Sequence, residues 1–166
     1  MTIRLAQMGE LVVLPEIERS ASRAFDTLLP GLASVTPAEG WRAAWAAGTL
    51  WVIEGEGELV GFLGAEVVAS GGSRGLHVLE FDVRLEWQGR GLGRALLLHV
   101  LDWARREGMT FVSLTTFRGV RWNGPFYASV GFREVASGTS PRLDGIVAAE
   151  VGKGLSDRCG MVLGLG

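Results

Sequence analysis

Eight residues, Gln88-Gly89-Arg90-Gly91-Leu92-Gly93-Arg94-Ala95, restrict this chain more than any other stretch. They follow a strand-like run, Leu76 to Arg84, and open an amphipathic helix expected over Leu92 to Glu107. Leu92, Leu96, Val100, Trp103 and Ala104 form its apolar stripe, and Gly108 ends it. Glycines at every second position permit tight turns and keep side chains out of the way. The amides of Gly89 to Arg94 can then converge at a helix N-terminus. Unpaired N–H groups and the helix dipole favour a phosphate there. Arg90 and Arg94 add positive charge and donors for phosphate oxygens.

Two familiar glycine loops do not fit. A P-loop needs Lys-Ser or Lys-Thr after its last glycine, and Arg94-Ala95 follows here. The dinucleotide fingerprint, counted from Gly91, needs a glycine where Arg94 stands, and an acid near the end of the next strand. That strand, Thr110 to Thr116, ends without a carboxylate. What remains is Gln-x-x-Gly-x-Gly between a strand and a helix.

A second patterned stretch, Trp122-Asn123-Gly124-Pro125-Phe126-Tyr127-Ala128-Ser129-Val130-Gly131-Phe132, follows the Thr110–Thr116 strand. With the glycine loop before it, it resembles the GCN5-related N-acetyltransferases, which carry Asn-x-x-x-Phe-Tyr-x-x-x-Gly-Phe at this point. The resemblance covers about Leu76 to Val135, and the order of elements from Thr2 to Ala69 agrees with it. After Ser137 the match is loose. The resemblance implies a single N-acetyltransferase domain over residues 1–166. Its fold would be α/β, with a mixed, mostly antiparallel central sheet flanked by helices on both faces. It implies an N-acetyltransferase with acetyl-CoA as cosubstrate, no metal, and a small-molecule amine or peptide amine as acceptor, with a non-catalytic acyl-CoA-binding module of the same fold as the alternative, and it admits a homodimer.

The resemblance also assigns residues. Gln88, Gly89, Arg90, Gly91, Leu92, Gly93 and Arg94 would hold the diphosphate. The backbone near Phe81 and Val83 would pair with pantetheine and polarise the acetyl carbonyl. Asn123 and Phe126 would lie along the cofactor, with Asn123 alternatively a helix cap. Tyr127 would give a proton to the departing thiolate. An alkylammonium has a pKa of about 10 and attacks only after losing its proton, so a base is wanted. His77 and Glu80 are both candidates, and solvent is the third. His77, Leu79, Phe81 and Val83 share one strand face, while Val78, Glu80 and Asp82 share the other. An imidazole with its ordinary pKa near 6.5 suits neutral pH. Glu18, Phe25, Asp26 and Trp41 lie in the region that covers the acceptor in this family. Thr115 and Thr116 end the neighbouring strand and would line the cleft.

The remaining expectations come from pattern and composition. A strand over Thr2–Gln7 precedes a helix over Glu10–Thr27 and a loop over Leu29–Thr36. Thr36 is expected to cap a helix that reaches Ala47, with Glu39 completing a capping box. Trp41 and Trp45, one turn apart, read as packing residues. His99, on the long helix, reads as structural. Strands over Leu50–Glu54 and Glu58–Ala69 flank a Gly55-Glu56-Gly57 turn, and Ser70–Gly75 is expected to be a flexible loop. A short helix over Trp122–Val130, a strand over Gly131–Ala136, a helix over Pro141–Val151 and a strand over Arg158–Leu163 complete the chain.

Net charge is −2 with no basic block, which argues against nucleic acid. No apolar run is long enough to span a membrane, and the start of the chain lacks the pattern of a signal peptide. Cys159 is the sole cysteine, so no internal disulfide is possible. A cytoplasmic location is the expectation.

Overall fold

The computed structural model describes residues 1–31 and 34–166. Its strands are β1 (Thr2–Leu5), β2 (Leu50–Gly55), β3 (Glu58–Ser70), β4 (Ser73–Val83), β5 (Phe111–Phe117), β6 (Arg133–Val135) and β7 (Arg158–Gly164). The α-helices are α1 (Leu14–Ser22), α2 (Arg42–Ala46), α3 (Leu92–Arg106), α4 (Gly124–Val130) and α5 (Pro141–Gly152). Strand order is β1-β2-β3-β4-β5-β7-β6. β4 and β5 run parallel, and the pairs β1/β2, β2/β3, β5/β7 and β6/β7 run antiparallel. The mixed, mostly antiparallel α/β class read from the sequence is therefore the observed one.

The chain divides into two compact units, Met1–Glu66 with Leu79–Trp103, and Val67–Val78 with Ala104–Gly166. In the first unit, Leu11, Leu14, Ile17, Trp41, Leu50, Val52 and Phe62 form a buried cluster. Trp41 meets Phe62 edge to face at 5.3 Å. Gly64 leaves room for that indole, since a Cβ there would lie 2.3 Å from the ring. Trp41 is thus a core residue, and Trp45 packs against the same cluster. On α3, Leu92, Leu96, Val100 and Ala104 are buried as the stripe requires, joined by Leu97 and Leu101. In the second unit, β5 and β7 pair along seven residues each, from Phe111↔Gly164 to Phe117↔Arg158. Leu143 of α5 packs over Gly160 of β7, where a Cβ would meet it at 3.2 Å.

Three local expectations are corrected. The first helix is broken into a 3-10 turn at Met8–Val13, then α1, then a 3-10 turn at Arg23–Phe25. Pro15 has no N–H to donate and sits in the first turn of α1, where none is needed. Thr36 does not cap α2. Pro37 precedes a 3-10 turn at Ala38–Trp41, no side chain caps it, and the Thr36 N–H donates to Glu18 instead. The stretch Ser70–Gly75 is not a loop. β3 runs to Ser70 and β4 starts at Ser73, with Gly71 and Gly72 at φ +56° and +82°. Two successive left-handed residues make the tight hairpin turn whose twist matches the strands. Glu56 and Gly57, at φ +52° and +84°, do the same between β2 and β3.

Candidate functional site

In the first unit, β4 ends at Val83 and a short 3-10 turn, Leu85–Trp87, leads into the glycine loop. The Gln88 side chain reaches back to donate to the Val83 carbonyl at 2.8 Å, which ties the loop to the strand end. Gly89 and Gly91 have φ of +74° and +81°, and a Cβ on either would meet nothing within 4 Å. The loop therefore needs glycine for its backbone and leaves open space before α3. Ala95 N–H donates to Gly91 O at 3.0 Å and starts the helical ladder. The amides before it lie where a helix has no partners of its own. Gly93 rests on Phe81 and Val83, whose side chains come within 3.4 and 3.6 Å of a Cβ built there. Arg90 donates to Glu86 O at 2.9 Å and stacks over Trp87 at 4.7 Å. Its guanidinium is thus held beside the loop.

The same unit gathers three carboxyl groups. Glu18, on α1, is buried, and its two oxygens accept the Thr36 N–H at 3.2 and 3.1 Å. Glu80 and Asp82 share one face of β4. Burial first, then the neighbouring Glu80, pushes Glu18 up to about 7. Asp82 is pushed well above the usual carboxylate range by burial, then by the charges of Glu80 and Glu18, and by a side-chain hydrogen bond with Glu80. Two carboxyls can hydrogen-bond only by sharing a proton. Sequence parity placed Asp82 beside Glu80 but gave it no role.

Glu18 makes the stability of the unliganded protein depend on pH. Its folded pKa lies above its unfolded value, so the folded state binds more protons between about pH 4.5 and 7. Stability should fall as pH rises through that window, by on the order of 3 kcal/mol at most. Glu18→Gln keeps a carbonyl for the Thr36 N–H and should flatten the slope. Urea titrations across pH 4.5–7 measure it, and an unchanged slope would refute the assignment.

In the second unit, the parallel pairing of β4 with β5 runs from Gly75↔Phe111 to His77↔Ser113. His77 is buried, with Nδ1 2.9 Å from Ser113 Oγ. Arg142, near the start of α5, places Nη1 3.1 Å from His77 Nδ1 and donates from Nη2 to Ser113 Oγ at 2.7 Å. A guanidinium has only donors, so His77 Nδ1 must be the acceptor and the ring proton sits on Nε2. Burial first, and the Arg142 charge second, lowers the His77 pKa to about 4. The expectation of an imidazole titrating near neutrality is corrected here, because both effects oppose its protonation. Ser113 and Arg142 carried no motif and were missed by sequence reasoning.

Tyr127 lies on α4 and is half-buried. Its ring meets Phe126 at 5.3 Å and Phe132 at 5.7 Å, both edge to face. Its N–H donates to Asn123 O at 3.0 Å. The Asn123 side chain does not cap the helix, since its Oδ1 accepts from Thr116 Oγ1 at 2.9 Å. Thr116 is accordingly buried, and Thr115 Oγ1 accepts from Arg158 at 3.4 Å. Pro125 fits the first turn of α4, and Gly131 ends that helix at φ +117°. Among the described residues no three His, Cys, Asp or Glu side chains are grouped to hold a metal, and no helix is long and apolar enough to cross a membrane.

Residues 14–132 match the acetyltransferase (GNAT) family. N-acetyltransferase 8 of Rattus norvegicus is 35% identical over 88 residues, which is 51% of this chain and 39% of that protein. The chain thus spans about two fifths of this curated relative. A GNAT-family acetyltransferase from Staphylococcus aureus superposes with a TM-score of 0.73 at 16% identity, covering 99% of each chain. The putative acetyltransferase yncA from Salmonella typhimurium, solved with acetyl-CoA, gives 0.71 at 22% identity and covers 100% of this chain and 94% of its own. These two structures share the fold.

Proposed function

The chain belongs to the acetyltransferase (GNAT) family, and from that premise we propose that it moves the acetyl group of acetyl-CoA to a primary amine by direct attack in a ternary complex. The observation that carries this reading is the loop at Gly89 and Gly91, with left-handed backbone and free space in front of the α3 amides. A diphosphate needs convergent N–H donors at a helix start with no side chain in the way. Gln88 to Arg94 supply that, with Arg90 and Arg94 as nearby charge. Acetyl-CoA supplies an acetyl group already activated as a thioester.

The protein's own tasks are to bind, orient and move two protons. An extended pantetheine chain would hydrogen-bond to the backbone near Phe81 and Val83 of β4, in the manner of an added strand. Amides there would polarise the acetyl carbonyl. Glu80 takes the ammonium proton, and His77 is the weaker candidate, because its Nδ1 lone pair already faces Arg142. Tyr127 protonates the departing thiolate. Cys159 is buried and lies outside both motifs, which disfavours an acetyl-cysteine route. A lone free cysteine also fits a reducing, cytoplasmic location.

The test is binding of acetyl-CoA by calorimetry, paired with thiol release over a panel of amines. Gly91→Asp adds a negative side chain at a left-handed position facing the open space. It should weaken acetyl-CoA by at least about 100-fold while the protein stays folded, since it places like charge against the diphosphate and strains the loop. Undiminished affinity in the folded variant would remove the loop as the diphosphate site.

A further inference from the structure

Gly55 ends β2 without the left-handed φ that Gly57, two residues on, adopts. Its backbone would accept another residue, yet a Cβ there would lie 2.8, 3.0 and 3.3 Å from three carbons of the Trp87 indole. The missing side chain is therefore room for that ring. Trp87 ends the 3-10 turn Leu85–Trp87. Leu85 N–H donates to Ser20 Oγ of α1 at 3.0 Å, and Trp87 N–H donates to Arg84 O at 2.9 Å. The turn is thus tied to α1, and its indole rests against the end of the β2–β3 hairpin. Over that indole lies the Arg90 guanidinium, 4.7 Å from the ring centroid, with Nη2 donating to Glu86 O at 2.9 Å. Arg90 itself is exposed and stands between the two left-handed glycines of the loop, Gly89 and Gly91.

An exposed arginine with nothing to lean on samples many rotamers, and gripping an anion costs it that freedom. Stacking removes much of the cost beforehand. It occupies the face of the guanidinium, whereas the N–H donors lie in the plane at its edge. The edge can therefore meet phosphate oxygens while the face stays on the ring. Resting on the reading of the loop as the acetyl-CoA site, we propose that Trp87 is a positioning residue, which holds Arg90 ready for the diphosphate and is itself seated by the missing side chain of Gly55. Neither residue touches the cosubstrate in this arrangement. Both act through Arg90, and Gly55 does so from another strand.

The experiment measures CoA binding by calorimetry in the wild type, Trp87→Leu, Arg90→Met and the double variant, with thermal melts to confirm folding. Trp87→Leu should weaken CoA by about fivefold or more, and Arg90→Met by about tenfold or more. The double variant should bind within about twofold of Arg90→Met alone, because the ring acts only through the guanidinium. Trp87→Phe keeps an aromatic face and should restore affinity to within about twofold of wild type. Gly55→Ala pushes the indole aside, so it should reproduce the loss while adding less than about twofold to Arg90→Met. It carries the test if Trp87→Leu does not fold. The same coupling should persist with 3′-dephospho-CoA, which keeps the diphosphate. Coupling that vanishes with that ligand puts Arg90 on the 3′-phosphate and overturns the proposal. Additive losses from Trp87→Leu and Arg90→Met, or none from Trp87→Leu and Gly55→Ala, also overturn it, make Trp87 a packing residue, and leave the loop site standing. If the coupling is present but Gly91→Asp binds CoA undiminished, the Trp87–Arg90 pair keeps its role and the loop amides lose theirs.

Discussion

Replacing Tyr127 with Phe should lower turnover by about 100-fold or more, while acetyl-CoA affinity stays within about twofold of wild type. The change removes one hydroxyl and nothing else. The ring is held by Phe126 and Phe132, at 5.3 and 5.7 Å, and a phenylalanine ring satisfies both contacts. The backbone of α4 is fixed independently, by Tyr127 N–H to Asn123 O and by the glycine at Gly131. A loss confined to kcat then reports a group that acts in the transition state rather than in binding. Steady-state thiol release gives the rate and calorimetry gives the affinity. A variant that turns over within twofold of wild type on a true acceptor would make Tyr127 a packing residue alone.

The parts of this molecule that were legible in the sequence are those fixed by local chemistry. Gly89 and Gly91 declared themselves because left-handed backbone has few other tolerant residues, and the structure places both there. The α3 stripe was legible because its 3.6-residue period runs over four turns, and its buried residues match. The Gly71-Gly72 turn was present in the sequence as a glycine pair, yet its role depends on both residues adopting left-handed φ, which a run of small and polar residues does not reveal. Thr36 shows the opposite failure. A capping box is a local pattern, but the Thr36 N–H was claimed by Glu18, eighteen positions earlier in the chain. Tertiary contact overrode local propensity there.

The candidate site divides in the same way. Tyr127 and Asn123 were legible as candidates because they belong to one continuous motif. His77 was a candidate through strand parity and the family resemblance, but neither reports burial or an arginine sixty-five residues away. Arg142 lies on a helix after Ser137, beyond the part of the chain the motifs reach. Burial lowers the His77 imidazole first, and the Arg142 charge adds to it, so that it is held near 4. Glu80 and Asp82 were visible as alternate residues of one strand, whereas Glu18 joins them only through the fold. The balance of charge among the three is therefore a tertiary property.

That balance gives the second large effect. Glu80→Gln should lower kcat/KM by about 100-fold or more and abolish its rise with pH, because an amide cannot accept the ammonium proton. In the wild type, activity should rise as the Glu80–Asp82 pair loses its shared proton. The apparent pKa of that limb belongs to the pair and not to one residue. Asp82 is raised by burial and by its acidic neighbours, so the limb should lie above the ordinary carboxylate range. Glu18→Gln removes one of those neighbours. With less negative charge nearby, the pair should release its proton more readily, and the limb should move to lower pH. His77→Ala should leave the limb where it is, since an imidazole lowered to about 4 by burial and Arg142 is already neutral there. It should instead cost stability, because Ser113 and the guanidinium lose a buried partner. If His77→Ala erases the limb and Glu80→Gln preserves it, the imidazole is the base and Glu80 is not.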